Sequence, residues 1–277
     1  MKISIITICY NDVNGLRRTA KSVLSQQSNN YEWIVIDGGS NDGSKDVILE
    51  HQNEIDYWVS EKDSGIYNAM NKGVQAAKGD YCLFINSGDE LFCSSSIDDI
   101  IKEGLSASIV ACDIVQNNCI HGYKTSPSRI YANKLIIGSL PHQSTLIKRE
   151  LLLKNPYRED LRIVSDWAFF FEALIIFGES YQYIHKPLGV FYLDGVSNTN
   201  SKGVCKERVE VLSKHLLPFQ LNEISNVDGI MSLFLLSDTS KNIISTIVRF
   251  LAFCDRFVFY PFMGLIAFLR NGKKIRL

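Results

Sequence analysis

An excess of charge of either sign is missing from this chain. Lys and Arg number 29 against 30 Asp and Glu, a net charge of −1, so the bulk charge gives no attraction to nucleic acid. Paired cysteines are missing too. Cys9, Cys82, Cys93, Cys112, Cys119, Cys205 and Cys254 are odd in number and none has C-x-x-C spacing, which indicates neither a zinc site nor a disulfide framework. Several lie inside apolar runs, where a free thiol acts as a small hydrophobe, and this favours a reducing compartment. G-x-G-x-x-G and G-x-x-x-x-G-K-[ST] are absent, so dinucleotide and P-loop readings lose their main support. The first residues carry a strand pattern that runs into Asn11-Asp12, not the small-residue cleavage site of a secretory leader. No internal repeat or low-complexity tract is visible.

What is present is 277 residues, 46% hydrophobic and 21% charged, the composition of a globular protein with one large α/β domain or one domain plus an extension. Three apolar runs stop in the same way. Ile3 to Ile8 runs into Tyr10-Asn11-Asp12, Tyr31 to Ile36 into Asp37-Gly38-Gly39-Ser40-Asn41-Asp42-Gly43-Ser44, and Tyr81 to Ile85 into Asn86-Ser87-Gly88-Asp89. Each has the length and the β-branched, aromatic content of a buried strand. Helical stretches separate them, so these strands are expected to be parallel and covered on both faces. Ligands of such sheets bind beyond the carboxyl ends of the strands, which brings Asp37 and Asp89 to one crevice. Converging carboxylates with glycine-rich backbone point to a metal and a phosphate-bearing ligand.

Helices are expected over Val13 to Gln27, Lys45 to Gln52, Ile97 to Gly104, Lys148 to Lys154 and Asp166 to Phe177, with further strands over Ile55 to Ser60, Ser108 to Val115, Leu140 to Ile147 and around Gly189 to Tyr192. Ile66, Ala69, Met70, Gly73, Val74 and Ala77 share one helical face, with Asp63 or Ser64 as the cap and Gly79 as the stop. His121 to Tyr131 reads as loop. Taken singly, each motif has a plainer reading: a turn for the glycine block, a turn or cap for Asn86 to Asp89, a dipole-complementing acid for Asp166, a satisfied core pair for His142-Gln143. Ile243 to Leu269 is apolar and aromatic, its uninterrupted part Phe257 to Leu269 is too short to span a bilayer as a helix, and a basic tail comes next. That is the pattern of an element lying in a membrane interface.

Taken together, Ser4 to Asn11, Ile34 to Ser44, and Glu61-Lys62-Asp63-Ser64-Gly65-Ile66-Tyr67-Asn68-Ala69-Met70-Asn71-Lys72-Gly73, and then Asn86 to Asp89, resemble in order the motifs of family 2 glycosyltransferases with a GT-A fold. The resemblance covers about residues 1 to 195 and is nearest to bacterial enzymes of O-antigen, capsule or colanic-acid-type repeat units. It implies a nucleotide-diphospho-sugar transferase fold, a Rossmann-like mixed sheet flanked by helices. The catalytic domain would be residues 1–200, split at about 115 into a nucleotide-sugar half and an acceptor half. Residues 201–277 would be a helical extension for membrane association.

The resemblance also implies roles. Thr7 and Asp37 would hold the base and ribose, Asp63 would flank the nucleotide pocket, and Tyr10, Asn11, Asn71 and Ser87 would belong to the nucleotide-sugar site. Asp89 would bind a divalent cation, Mn2+ or Mg2+, on the diphosphate, although Ser87 stands where many members have an acid. Asp166 would be the general base. His142, Gln143 and Trp167 are expected at the acceptor. Q-x-x-R-W is absent, which points to transfer of one sugar rather than polymerisation. One base and no covalent nucleophile would invert the anomeric carbon. The expected donor is a UDP-hexose or UDP-N-acetylhexosamine, and the expected acceptor a saccharide linked to undecaprenyl diphosphate. The work would take place at the cytoplasmic face of the bacterial inner membrane, by a peripheral protein, with a homodimer possible. A nucleotidyltransferase and a sugar-nucleotide-binding protein without transfer activity are the alternatives. The first needs a basic glycine-rich loop after strand one, and Cys9 to Gly15 contains no Lys or Arg.

Overall fold

The computed structural model describes residues 1–116, 123–124, 126–192 and 201–216. In chain order the elements begin with β1 (Ile3–Cys9), α1 (Val13–Leu24), β2 (Tyr31–Asp37), α2 (Ser44–Glu50), β3 (Tyr57–Ser60), α3 (Ile66–Ala76) and β4 (Tyr81–Phe84). Next come β5 (Glu90–Leu91), α4 (Ser96–Lys102), β6 (Ile109–Gln116), β7 (Tyr123–Lys124) and α5 (Ala132–Ile137). The rest is β8 (Thr145–Lys148), α6 (Arg149–Lys154), α7 (Ser165–Phe171), β9 (Tyr181–Phe191) and α8 (Ser201–Ser213).

The apolar runs form strands because both of their faces are buried. All seven residues of β1 are buried, and six of the seven in β2. On one face Ile3, Ile5, Trp33 and Val35 pack with Leu16, Ala20 and Val23 of α1 and Val47 and Ile48 of α2. On the other, α3 lies so close that a Cβ on Gly73 would stand 2.5 Å from Ile6 Cγ2. β1 lies between β2 and β4 and is parallel to both, as expected, with Cys9 beside Asp37. The acid of the glycine block therefore sits level with the end of β1.

The sheet is mixed, as the resemblance implies. Among the described residues its nine strands run β3-β2-β1-β4-β8-β6-β9-β5, with β7 on β6. β8 is antiparallel to both β4 and β6, β6 and β9 are parallel, and β5 pairs antiparallel with β9. β5 is what folds the segment after Asp89 back, setting Glu90 opposite Val190.

Several expectations are corrected. The strand expected over Leu140 to Ile147, entered through a turn, has that turn as the 3-10 helix His142–Ser144 but begins only at Thr145. The helix expected from Asp166 to Phe177 changes at Glu172 into a π-helix, Glu172–Ile176. The short strand near Gly189 is the end of an 11-residue strand. Neither Asp63 nor Ser64 caps α3. The cap is Gly65 at φ 139°, and Asp63 Oδ1 instead accepts the Gly65 N–H at 3.0 Å. α5, just past the stretch read as loop, was not expected.

The chain divides into two compact units, Met1–Arg208 and Val209–Leu277. No helix among the described residues is long and apolar enough to cross a membrane. Ile243 to Leu269 and the basic tail lie outside the described residues, as do Cys119 and Cys254.

Candidate active site

The ends of β1 and β4 are tied together by the Ser87 N–H, which donates to the Ile8 carbonyl at 3.0 Å. Helix α1 then fixes the turn that leaves β4. Asp12 caps α1: its Oδ1 accepts the Gly15 N–H at 3.0 Å and its Oδ2 accepts the Ser87 hydroxyl at 2.9 Å. A Cβ at position 15 would lie 1.9 Å from Asp12 Oδ2, so any other residue there has to displace the Asp12 carboxylate. One turn on, the buried Thr19 hydroxyl donates to the Asp89 carbonyl at 2.7 Å and accepts the Gly88 N–H at 3.1 Å. Arg18 Nε donates to the Gly88 carbonyl at 2.9 Å, and the guanidinium lies 4.1 Å from the centre of the Tyr192 ring. Gly88, at φ 98°, makes the turn that non-glycine residues avoid. Asp89 thus leaves a backbone held on both sides, and only 7% of its surface is exposed.

The second half of the fold, after β6, meets this wall across a cavity of about 1020 Å3, large enough for a nucleotide-sized ligand. α3 links the halves. Asn71 grips the backbone of Tyr157, accepting its N–H at 3.0 Å and donating to its carbonyl at 2.9 Å. Tyr67 donates to Asp166 Oδ1 at 2.9 Å. Burial, then the Asp166 charge, raises the Tyr67 phenol far above its ordinary value, so it stays protonated and remains a donor. Asp166 is half-buried in the first turn of α7, and among the described residues its Oδ2 has no hydrogen-bond partner. His142 stacks on Phe84 at 4.6 Å and its Nε2 meets the Tyr157 hydroxyl at 2.8 Å. Burial holds it below the ordinary histidine value against the opposing pull of Asp166, so the ring is neutral at pH 7.

Of the residues singled out from sequence, Tyr10, Ser87, Asp89, His142, Gln143, Asp166 and Trp167 line the cavity. Thr7, Asn11, Asp37, Asp63 and Asn71 do not. Thr7 is wholly buried and its hydroxyl accepts the Trp33 indole N–H at 3.0 Å. Asp37 is also wholly buried. Its oxygens accept the Ser40 N–H at 3.0 Å, the Ser60 hydroxyl at 2.7 Å and the Ser40 hydroxyl, so it shapes the glycine loop from within. Asn11, at φ 49°, binds that loop through its N–H to Ser40 Oγ and its Oδ1 from the Asn41 N–H. Asn71 is engaged by the Tyr157 backbone described above. Asp63 lies beside the glycine loop and Tyr10: a Cβ on Gly38 would lie 2.6 Å from Asp63 Oδ2 and 3.2 Å from the Tyr10 ring, and Tyr10 is 66% exposed.

Sequence reasoning missed Asp12, Arg18, Thr19, Tyr67, Arg162 and Arg208. All of these except Thr19 line the cavity. The one signal available was the polar edge Arg18-Thr19-Ser22 of α1, which reads as a solvated face although Thr19 and Ser22 are buried.

As a metal site the cavity offers little protein. No group of three His, Cys, Asp or Glu among the described residues could hold an ion, and both oxygens of Asp12 are engaged. Asp89 alone at a strand end fits a cation that keeps most of its ligands from water and phosphate, not an all-protein cage.

The sequence model for glycosyl transferase family 2 matches residues 4–174. An uncharacterised glycosyltransferase of Mycobacterium tuberculosis is 31% identical over 194 residues, 63% of this chain and 69% of that one. The putative glycosyltransferase EpsH of Bacillus subtilis is 25% identical over 204 residues, 67% of this chain and 59% of its own. Among solved structures, TarS 1-349 of Staphylococcus aureus in complex with UDP-GlcNAc superposes at TM-score 0.62 with 16% identity, covering 81% of this chain and 70% of that one. The mannosyltransferase PcManGT of Pyrobaculum calidifontis in complex with GDP-Man and Mn2+ does so at 0.59 with 13% identity, covering 96% and 84%.

Proposed function

The chain belongs to glycosyltransferase family 2 and has the GT-A fold, and from this premise we propose that it moves one sugar, with inversion, from a nucleotide-sugar to a saccharide acceptor. The observation that carries the reading is that Asp89 and Asp166, from opposite halves of the fold, line the same cavity.

The exposed Tyr10 ring stacks on the nucleotide base and Asp63 flanks it, with the glycine loop held in shape by Asp37. The diphosphate lies against the Ser87 to Asp89 turn, where Arg18 adds positive charge. Asp89 is the residue that would hold a divalent cation, Mn2+ or Mg2+, which when bound stabilises the charge developing on the leaving diphosphate. Asp166, held by Tyr67, takes the proton of the acceptor hydroxyl as that oxygen attacks the anomeric carbon. Trp167 backs the acceptor side of the cavity, its buried ring stacked on Phe171 and covered by the Arg208 guanidinium, and His142 and Gln143 form the floor. A UDP-hexose or UDP-N-acetylhexosamine is the donor, in keeping with the UDP-GlcNAc that TarS binds. The acceptor is a lipid-linked saccharide of bacterial surface polysaccharide, reached at the cytoplasmic membrane face through the residues after 243.

The test is a panel of UDP- and GDP-sugars offered to the purified chain, with release of nucleoside diphosphate as the readout. The reading expects metal-dependent release from a UDP-hexose or UDP-N-acetylhexosamine. Release from GDP-sugars alone would overturn the donor assignment, and binding without release from any donor would favour a sugar-nucleotide-binding protein.

A further inference from the structure

The helix that carries Asp166 is held from beyond the family match, which ends at residue 174. α7 has no side-chain cap of its own, its N-cap being Val164. The N–H groups of Arg162, Ile163 and Val164 instead converge on one carboxylate 43 to 45 residues later, that of Glu207 in α8. Arg162 donates to Oε1 at 3.0 Å, and Ile163 and Val164 donate to Oε2 at 3.0 and 3.1 Å. Hydrogen bonds to an ionised acceptor are the stronger kind, and a negative charge suits the amino end of a helix. The next residue grips the same helix one turn later. The Arg208 guanidinium lies 4.7 Å from the centre of the Trp167 ring and donates to the Ile136 carbonyl at 3.3 Å. In sequence, Val164 and Trp167 bracket Asp166.

We propose that Glu207, backed by Arg208, is a positioning residue for sugar transfer: it fixes the first turn of α7, and with it the Asp166 carboxylate and the Trp167 ring, at the cavity wall. The proposal rests on the reading of Asp166 as the base. Glu207 is not among the residues lining the cavity, so it acts through α7 and not on the substrate. The start of α8 thereby belongs to the acceptor half of the catalytic unit, although sequence reading placed it in a membrane extension. Displacing a reacting group by about 1 Å costs on the order of a hundredfold in rate, which sets the scale of the effect.

The experiment uses the full chain, the donor that the sugar-nucleotide panel selects, and its nucleoside diphosphate as the binding probe. Glu207→Ala is expected to lower kcat by about tenfold or more while the diphosphate Kd stays within about twofold. Glu207→Gln, which keeps an oxygen to accept the N–H groups, recovers part of the loss. Asp166→Asn is the comparator, and the double variant is expected to be no slower than Asp166→Asn, because both changes act on one group. A Glu207→Ala chain as fast as wild type, beside an inactive Asp166→Asn, overturns the clamp and leaves the base reading standing. Loss of diphosphate affinity in step with turnover, with Glu207→Gln no better than Glu207→Ala, overturns it by making Glu207 a support of the whole fold. An active Asp166→Asn chain removes the base reading itself, whatever Glu207→Ala does.

Discussion

Asp89 follows Ser87 by two residues and Asp12 accepts the Ser87 hydroxyl, yet the two acids do different things. Both Asp12 oxygens are occupied by Gly15 and Ser87, whereas Asp89 is carried by a turn whose backbone is pinned by Thr19 and Arg18. Replacing Asp89 by Ala removes the charge that would hold the cation and is expected to lower transfer by about a hundred- to a thousandfold. Calorimetry with UDP, with and without Mn2+, checks it: metal-dependent binding weakens in the variant, and near-normal turnover would take Asp89 out of the site. At Gly15 the effect is steric. A methyl group 1.9 Å from Asp12 Oδ2 must push the Asp12 side chain away from Ser87, so Gly15→Ala is expected to cost about 1–3 kcal/mol of stability and to weaken donor binding. Urea titration measures the first and UDP calorimetry the second. A variant with wild-type values in both would show that the Asp12 cap is dispensable.

At the scale of elements, the turn between α3 and β4 is built on a buried carboxylate. Glu32 of β2 is 3% exposed and accepts the Ser4 hydroxyl at 2.6 Å and the N–H groups of Lys78 and Gly79 at 2.6 and 2.9 Å. Burial alone would raise its pKa, but those three donors, with Lys2, outweigh it and leave Glu32 below the ordinary value of 4.5. A carboxylate depressed in the folded state contributes stability above its unfolded pKa, and that contribution is lost as pH falls through the folded value. Thermal unfolding monitored below pH 5 is therefore expected to show a steeper loss in the wild type than in Glu32→Gln, with the variant weaker by about 1–3 kcal/mol at pH 7. Parallel pH curves for the two would contradict this. The elements legible in the sequence were those with one decisive physical signal. β1, β2 and β4 are continuous apolar runs because both faces are buried, and their ends gave the position of Asp89. Thr7 and Asp37 sit in motifs legible in the sequence, but a short motif does not show that both side chains are wholly buried and bonded within the protein. β9 reads as a short strand because Lys186-Pro187 breaks its pattern, and its pairing with β6 shifts register around Asp113. Arg18, Thr19 and Ser22 look like a solvated face because their partners are backbone groups 67 to 70 residues away. Glu207 and Arg208 give no signal at all, as their partners lie in a different element.

For the whole molecule, the two halves share one sheet, through the β4–β8, β6–β8, β6–β9 and β5–β9 pairings, and α3 adds side-chain ties through Asn71, Tyr67 and Glu159, which accepts from Asn68 and Asn71 at 3.0 Å each. The membrane attachment proposed above rests on the apolar, aromatic run Ile243 to Leu269 and the basic tail. Removing residues 243–277 is expected to move the protein out of the vesicle fraction in a flotation assay with anionic liposomes at low salt, while UDP binding is kept. A full-length chain that stays unbound under those conditions would rule the interface out. The central claim concerns one step, in which Asp166 deprotonates the acceptor while the sugar leaves Asp89's side of the same cavity. A single displacement with no covalent sugar-enzyme intermediate inverts the anomeric centre. Proton NMR of the product formed from an α-linked UDP-sugar tests this most directly. The account predicts a β-linked product from wild type and almost none from Asp166→Asn, and an α-linked product would contradict it.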